Sequence, residues 1–195
     1  MTRIKNIIIA IALLAGFSSQ ALAASTSGVT NVAVSVPEFI VLHYYSGIIL
    51  NFDTPAAEAI DEGNSSVEAD WNGSTSGNGL DAGSLMNASL ELDGTKTNVR
   101  LNNVWAVRGF SKSGDAKIEV TVPSGTLQNG SSEITMSDVK VSDDAQSGKS
   151  ITTKLNGISK GRATTGNIEM DLDFSNTTLS GSHTGGQCTI TATTI

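Results

Sequence analysis

The chain has 195 residues, with 12 Lys and Arg against 19 Asp and Glu, 5% aromatic residues and a single cysteine. The acidic balance argues against nucleic acid or an anionic membrane surface as a partner, and one cysteine excludes an internal disulfide, so the fold must rest on packing alone. Abundant Gly, Ser and Thr without charge runs indicate an all-β protein of the cell exterior rather than a disordered chain.

The first predicted element is a leader. Arg3 and Lys5 precede an apolar run from Ile7 to Ala15, and Ala21-Leu22-Ala23 sets small residues two apart. Charged, apolar, then small-x-small is the order of a secretory signal peptide. The apolar run is too short to span a bilayer as a stable helix. Residues 1–23 are therefore expected to be removed, or 1–24, leaving no membrane span. Phe17 stands where a lipoprotein would carry its lipidated cysteine after Leu14-Ala15-Gly16. Loss of Arg3 and Lys5 leaves 10 basic against 19 acidic residues. The 172 residues that remain (195 less 23) suit one domain.

Period-two alternation then recurs between Gly, Asn, Asp and Ser clusters. Val32, Val34 and Val36 share a face. After Pro37, Phe39, Val41, His43 and Tyr45 share one face and Ile40, Leu42 and Tyr44 the other; Ile48, Leu50 and Phe52 continue the run. Thr54 and Pro55 open the one predicted helix, near 55–61, which Gly63 ends. Residues 63–83 read as a long polar surface loop with Trp71 partly inserted. Met86, Ala88, Leu90 and Leu92 form the next strand, closed by Asp93-Gly94. Val99, Leu101, Trp105 and Val107 follow, then Ile118, Val120 and Val122 up to Pro123. Ile134 and Met136 have the opposite parity to Val139 and Val141, which predicts a bulge near Ser137 and Asp138. Ile151 and Leu155 mark a weak strand. Ile168, Met170, Leu172 and Phe174 mark a strong one, and Cys188, Ile190, Ala192 and Thr194 close the chain.

Eight to ten short strands without alternating helices imply a sandwich or a barrel, and one apolar face per strand favours a two-sheet sandwich. Ile118, Val120, Val122, Ile168, Met170, Leu172, Phe174 and Ile190 are the predicted core. Residues 24–36 are either an N-terminal extension or the first strand, and residues 37–195 form a single domain.

Chemistry is sparse. His43 reads as a structural histidine beside the core and His183 as a loop residue; neither belongs to a spacing that implies a catalytic triad. Cys188 shares parity with Ile190 and Ala192 and is expected to be a buried free thiol. Asp70, Asn72, Ser74 and Asp81 fall at calcium-loop spacings, but Thr75 replaces the required glycine and no helices flank the loop. Asp171 and Asp173 are the wet face of a strand, and Asp143-Asp144 a turn. No catalytic residue, metal or cofactor is predicted.

Two segments carry a resemblance. A leader followed by the small-residue segment Ala24 to Val36, and a terminal strand in "TGGQCTITATTI", are similar to subunits of bacterial pili built by the chaperone–usher route, as is the texture of "KIEVTVPSGTLQNGSSEITMSDVKV". The chain departs from that pattern in lacking the common disulfide and in having Cys188 near where a tyrosine is often found. The resemblance implies an immunoglobulin-like sandwich, either complete or lacking its last strand. It implies export to the periplasm and then the surface, with a periplasmic chaperone and an outer-membrane usher as partners. It also implies assembly with neighbouring copies or other subunits by donor-strand complementation. Gly28, Thr30, Val32, Val34 and Val36, which share parity, are the candidate donor-strand residues. The alternative is a free-standing secreted sandwich that binds carbohydrate through Trp71, Trp105, Tyr44 or Tyr45.

Overall fold

A computed structural model describes residues 25–53, 64–69, 75–76, 84–92 and 94–195. The predicted leader, the 55–61 helix, Trp71 and the calcium-loop residues Asp70, Asn72, Ser74 and Asp81 lie outside the described residues. No helix among the described residues is long and apolar enough to cross a membrane.

The described chain is nearly all β. Its strands are β1 (Phe39–Asp53), β2 (Asn64–Ala69), β3 (Thr75–Ser76), β4 (Ser84–Glu91), β5 (Lys96–Phe110), β6 (Asp115–Ser124), β7 (Thr126–Asn129), β8 (Ser132–Ser142), β9 (Ser147–Gly148), β10 (Ser150–Lys154), β11 (Thr164–Asp173) and β12 (Gln187–Thr194). One sheet runs β3-β4-β1-β5-β11-β8-β7, with β2 also on β5 and β9 on β8; the other runs β10-β6-β12. Both are antiparallel apart from the β1–β4 and β2–β5 ladders. Val99, Leu101, Trp105, Val107 and Ile168 of the large sheet join Ala116, Ile118, Val120 and Ile151 of the small one in a single core, which is the β-sandwich that the alternation predicted.

The paired faces follow from register. Leu101 stands opposite Ile168, Val99 opposite Met170 and Thr97 opposite Leu172; all six are buried. Asp171 and Asp173, which alternate with Met170 and Leu172, point the other way and meet Asn98 and Lys96. The parity change in β8 is a bulge at the predicted place. Asp138 and Val139, between Ser137 and Lys140, face Met170 alone, between Glu169 and Asp171, and Asp138 takes up the extra residue with φ 47°, a left-handed conformation that Asp tolerates better than most residues. The Asp143 turn also forms, its carboxylate accepting from the backbone N–H groups of Ala145 and Gln146.

Trp105 sets the tightest contact. It lies opposite Gly166 and donates its indole N–H to Asn167 O at 3.0 Å. A Cβ at residue 166 would overlap the Trp105 ring, so glycine is what lets β11 pass under the indole.

Three expectations are corrected. Val122 is 39% exposed, outside the core. The β6–β12 ladder slips between Gln187 and Thr189 where Pro123 has no N–H to offer, and the slip turns Val122 outward. Phe174 and Ile190 are half-buried and pack against the core rather than within it. Residues 64–69, read as loop, form β2. β1 makes room for β2: it pairs with β5 only from Phe39 to Tyr44, then leaves to pair with β4 from Tyr45 to Asp53. The vacated edge of β5, Lys96 to Leu101, takes β2.

The chain parts into two units between Ser35 and Val36. Residues 25–38 belong to no strand. Val32 and Val34 are each 84% exposed.

Candidate functional site

The edge of the small sheet carries the most distinctive feature. β12 pairs with β6 on one side; among the described residues no strand pairs with its other side. Its inward residues Cys188, Ile190, Ala192 and Thr194 are only half-buried, alternating with exposed Gln187, Thr189, Thr191 and Thr193. Across from it stands β1 after its departure from β5. Ser46 and Gly47 mark the bend, where the register slips and small residues weaken the strand. From there Ile48, Leu50 and Phe52 are half-buried against the core. β1 has β4 on one side of this stretch, and no ladder joins its other side to β12 among the described residues.

Between the two lies a cavity of about 260 Å³. Tyr44, Tyr45, Ser46 and Ile48 form one wall, Cys188, Thr189 and Ile190 the other, with Val104 and Ile168 also lining it. The strands run in opposite directions. Ile195 O accepts from Ser113 N, and Lys112 N donates to Glu38, so β12 ends where β1 begins, while Cys188 lies by Tyr44 to Ile48. This is a trough of mixed polar and apolar lining, along which no strand ladder covers the outer edge of β12 among the described residues, a geometry that can accept an extended segment.

The bend also redistributes the aromatic residues. Tyr45, expected on the His43 face, turns into the core; Tyr44 stays exposed beside the cavity. Burial pushes the Tyr45 phenol well above its ordinary value. Trp105 is buried as well, so neither Trp105 nor Tyr45 is a stacking platform. His43 lies on the outer side of β1, where its Nε2 accepts from Arg108 Nε at 3.1 Å. Cys188 is a free thiol but half-buried rather than buried. It sits on an edge strand facing the trough, and partial burial still pushes the thiol pKa up.

One polar cluster was not legible in the sequence. Ser132 is fully buried at the start of β8. Its Oγ accepts from Thr178 N at 2.9 Å and Leu179 N at 3.0 Å, leaving its own proton for His183 Nε2 at 2.8 Å. His183 Nδ1 is 3.0 Å from Gly181 O. A serine and a histidine thus meet from positions 51 apart. The hydroxyl is buried, both lone pairs are engaged and the imidazole is oriented by a carbonyl, so the pair fastens the 174–186 segment to β8 and has no access to a substrate.

The outer face of the large sheet carries cross-strand charge pairs, Arg100 with Glu169 at 2.7 Å and Lys96 with Asp173 at 3.4 Å. No group of His, Cys, Asp and Glu suited to a metal occurs among the described residues. No family model matches the chain, and no curated protein or solved structure matches it.

Proposed function

We propose that the protein is a structural subunit of a surface fibre, pilin-like, in which residues 29–36 of one copy complete the sandwich of the next. The single observation that supports this reading is the trough between β12 and the second half of β1. An unpaired edge strand with a half-buried apolar face is a liability in a monomer. A donor segment removes it by supplying both the backbone partners and the side chains.

The donor candidate fits by length and parity. Residues 29–36 are eight in number, as are the residues of β12, so both extend about 26 Å at ~3.3 Å per residue. Val32, Val34 and Val36, with Gly28 and Thr30, give one small, mainly apolar face. In the isolated chain those valines are exposed. Ordering such a segment costs roughly 1–2 kcal/mol per residue in backbone entropy, which a groove with a full run of hydrogen-bond partners offsets. In this reading the leader delivers the chain to the periplasm, where a chaperone covers the trough and an outer-membrane usher exchanges it for the neighbour's extension.

A synthetic peptide of residues 25–38, added to protein lacking residues 25–36, tests the proposal. Capture of the peptide is expected, and its Val34→Asp form is expected to fail because a carboxylate would lose its water on being covered beside Ile48 and Ile190. In the full chain the same substitution should block polymerisation. Unfolding of the truncated protein without gain on adding peptide would refute the reading and favour a free-standing binding module.

A further inference from the structure

The outer face of the large sheet carries an apolar patch where the N-terminal segment leaves the body. Phe39 opens β1 directly opposite Phe110, which closes β5, so the two rings share one face of the sheet. Both are exposed. Val41, two residues on and on the same face, is half-buried opposite Arg108. The bridge between Gly109 and Gly157 lays Ile158 beside this pair, and Ile158 is 53% exposed. Apolar residues scattered singly over a surface are ordinary, whereas a contiguous patch with a polar rim marks a site of contact. The rim here is Arg108 and His43, bonded to each other, with Arg108 also donating to Ile158 O at 2.8 Å.

The root of the N-terminal segment is pinned at the same place. Lys112 N donates to the Glu38 carboxylate at 3.0 Å, and Phe39 is held in the β1–β5 ladder. Pro37 fixes its own φ and keeps Val36 extended. A short, stiff link therefore joins Val36 to Phe39, with a reach of about 10 Å at ~3.3 Å per residue.

We infer that the Phe39, Phe110 and Ile158 patch is a second contact between subunits: it packs on the trough rim of the copy that holds the donor segment. The inference rests on the fibre reading, and the identity of the occupant follows from the link. A copy that holds Val36 in its trough lies within about 10 Å of the donor's Phe39. Packed layers of protein themselves stand about 10 Å apart, so the gap admits no third partner and the patch meets the acceptor. Tyr44, exposed at the trough, gives that rim an aromatic surface of its own. A donor segment by itself would let successive bodies swing about Pro37. The patch fixes their angle and slows their separation.

Two measurements separate this inference from the reading beneath it: capture of the 25–38 peptide by dilute full-length protein, in which no donor body takes part, and dissociation of polymers of the full chain. The Phe110→Asp, Ile158→Asp double variant is expected to capture peptide unchanged, which also shows that it folds, while its polymers fall apart roughly tenfold faster on dilution. Phe110→Leu with Ile158→Leu keeps the patch apolar and is expected to leave dissociation within about twofold of the unsubstituted chain. If the aspartate pair impairs peptide capture, Ile158→Asp alone, outside every strand, takes its place, with an expected acceleration of about threefold. A peptide-capturing aspartate variant whose polymers dissociate at the unsubstituted rate would overturn the body contact and leave the fibre reading standing. An equal acceleration in the leucine pair would overturn it too, since apolarity would then not hold the bodies together. Absence of peptide capture by the unsubstituted protein would remove both.

Discussion

Replacing Ser132 with Ala tests the fastening of the long 174–186 segment. The hydroxyl is wholly buried and serves three partners: it accepts from Thr178 N and Leu179 N and donates to His183 Nε2. Alanine removes the acceptor for both backbone N–H groups at once. Each buried donor left unsatisfied costs about 1–3 kcal/mol, so two set a range of about 2–6 kcal/mol. Part of that is recovered where the segment shifts to let water reach the amides, while Thr177 Oγ1 still holds Glu133 O and Gln128 still pairs with Thr184. The expected loss is about 2–4 kcal/mol. His183→Ala removes only the acceptor of one hydroxyl proton and should cost about 1 kcal/mol. Urea unfolding of the protein and both variants, followed by tryptophan fluorescence, gives the two numbers. A Ser132→Ala loss below about 1 kcal/mol, or a His183→Ala loss as large as that of Ser132→Ala, would show that the two amides are not what the serine satisfies.

Gly166→Ala should destabilise the protein by about 3 kcal/mol, because the added methyl overlaps the buried Trp105 ring and the Ser142 carbonyl; thermal unfolding measures it. Cys188 should react with a thiol reagent more slowly than an exposed cysteine at the same pH, since a raised pKa leaves less thiolate, and the 25–38 peptide should slow it further by covering the trough. Tyr45 gives an alkaline signature. Its folded pKa lies above its unfolded value, so its contribution is complete below about pH 10 and declines as pH rises beyond that, while unfolded chains ionise and native ones do not. Tyr45→Phe should remove that decline, which unfolding curves across the alkaline range would detect.

Much of the sandwich is local information. Alternation in Ile118–Val120, Ile168–Leu172 and Ile134–Val141 marks strands and inner faces because side chains on a strand have period two, and the parity change at Ser137 and Asp138 marks its own bulge. Cys188, Ile190 and Ala192 likewise declare a strand with one apolar face. Only the tertiary structure decided how deep that face lies, because β12's degree of burial depends on whether a second neighbour covers its edge. The same holds for Tyr45, whose side changes where β1 passes from β5 to β4, and for Val122, turned outward by a slip against β12. The trough itself belongs to no segment: its walls come from residues 44–48 and 188–190, its other lining from Val104 and Ile168, and only the departure of β1 from β5 brings them together. Ser132 and His183 meet for the same kind of reason, through a chain reversal that no local pattern encodes. A sequence determines which face of each strand is apolar; the pairing of distant strands decides which of those faces end up covered.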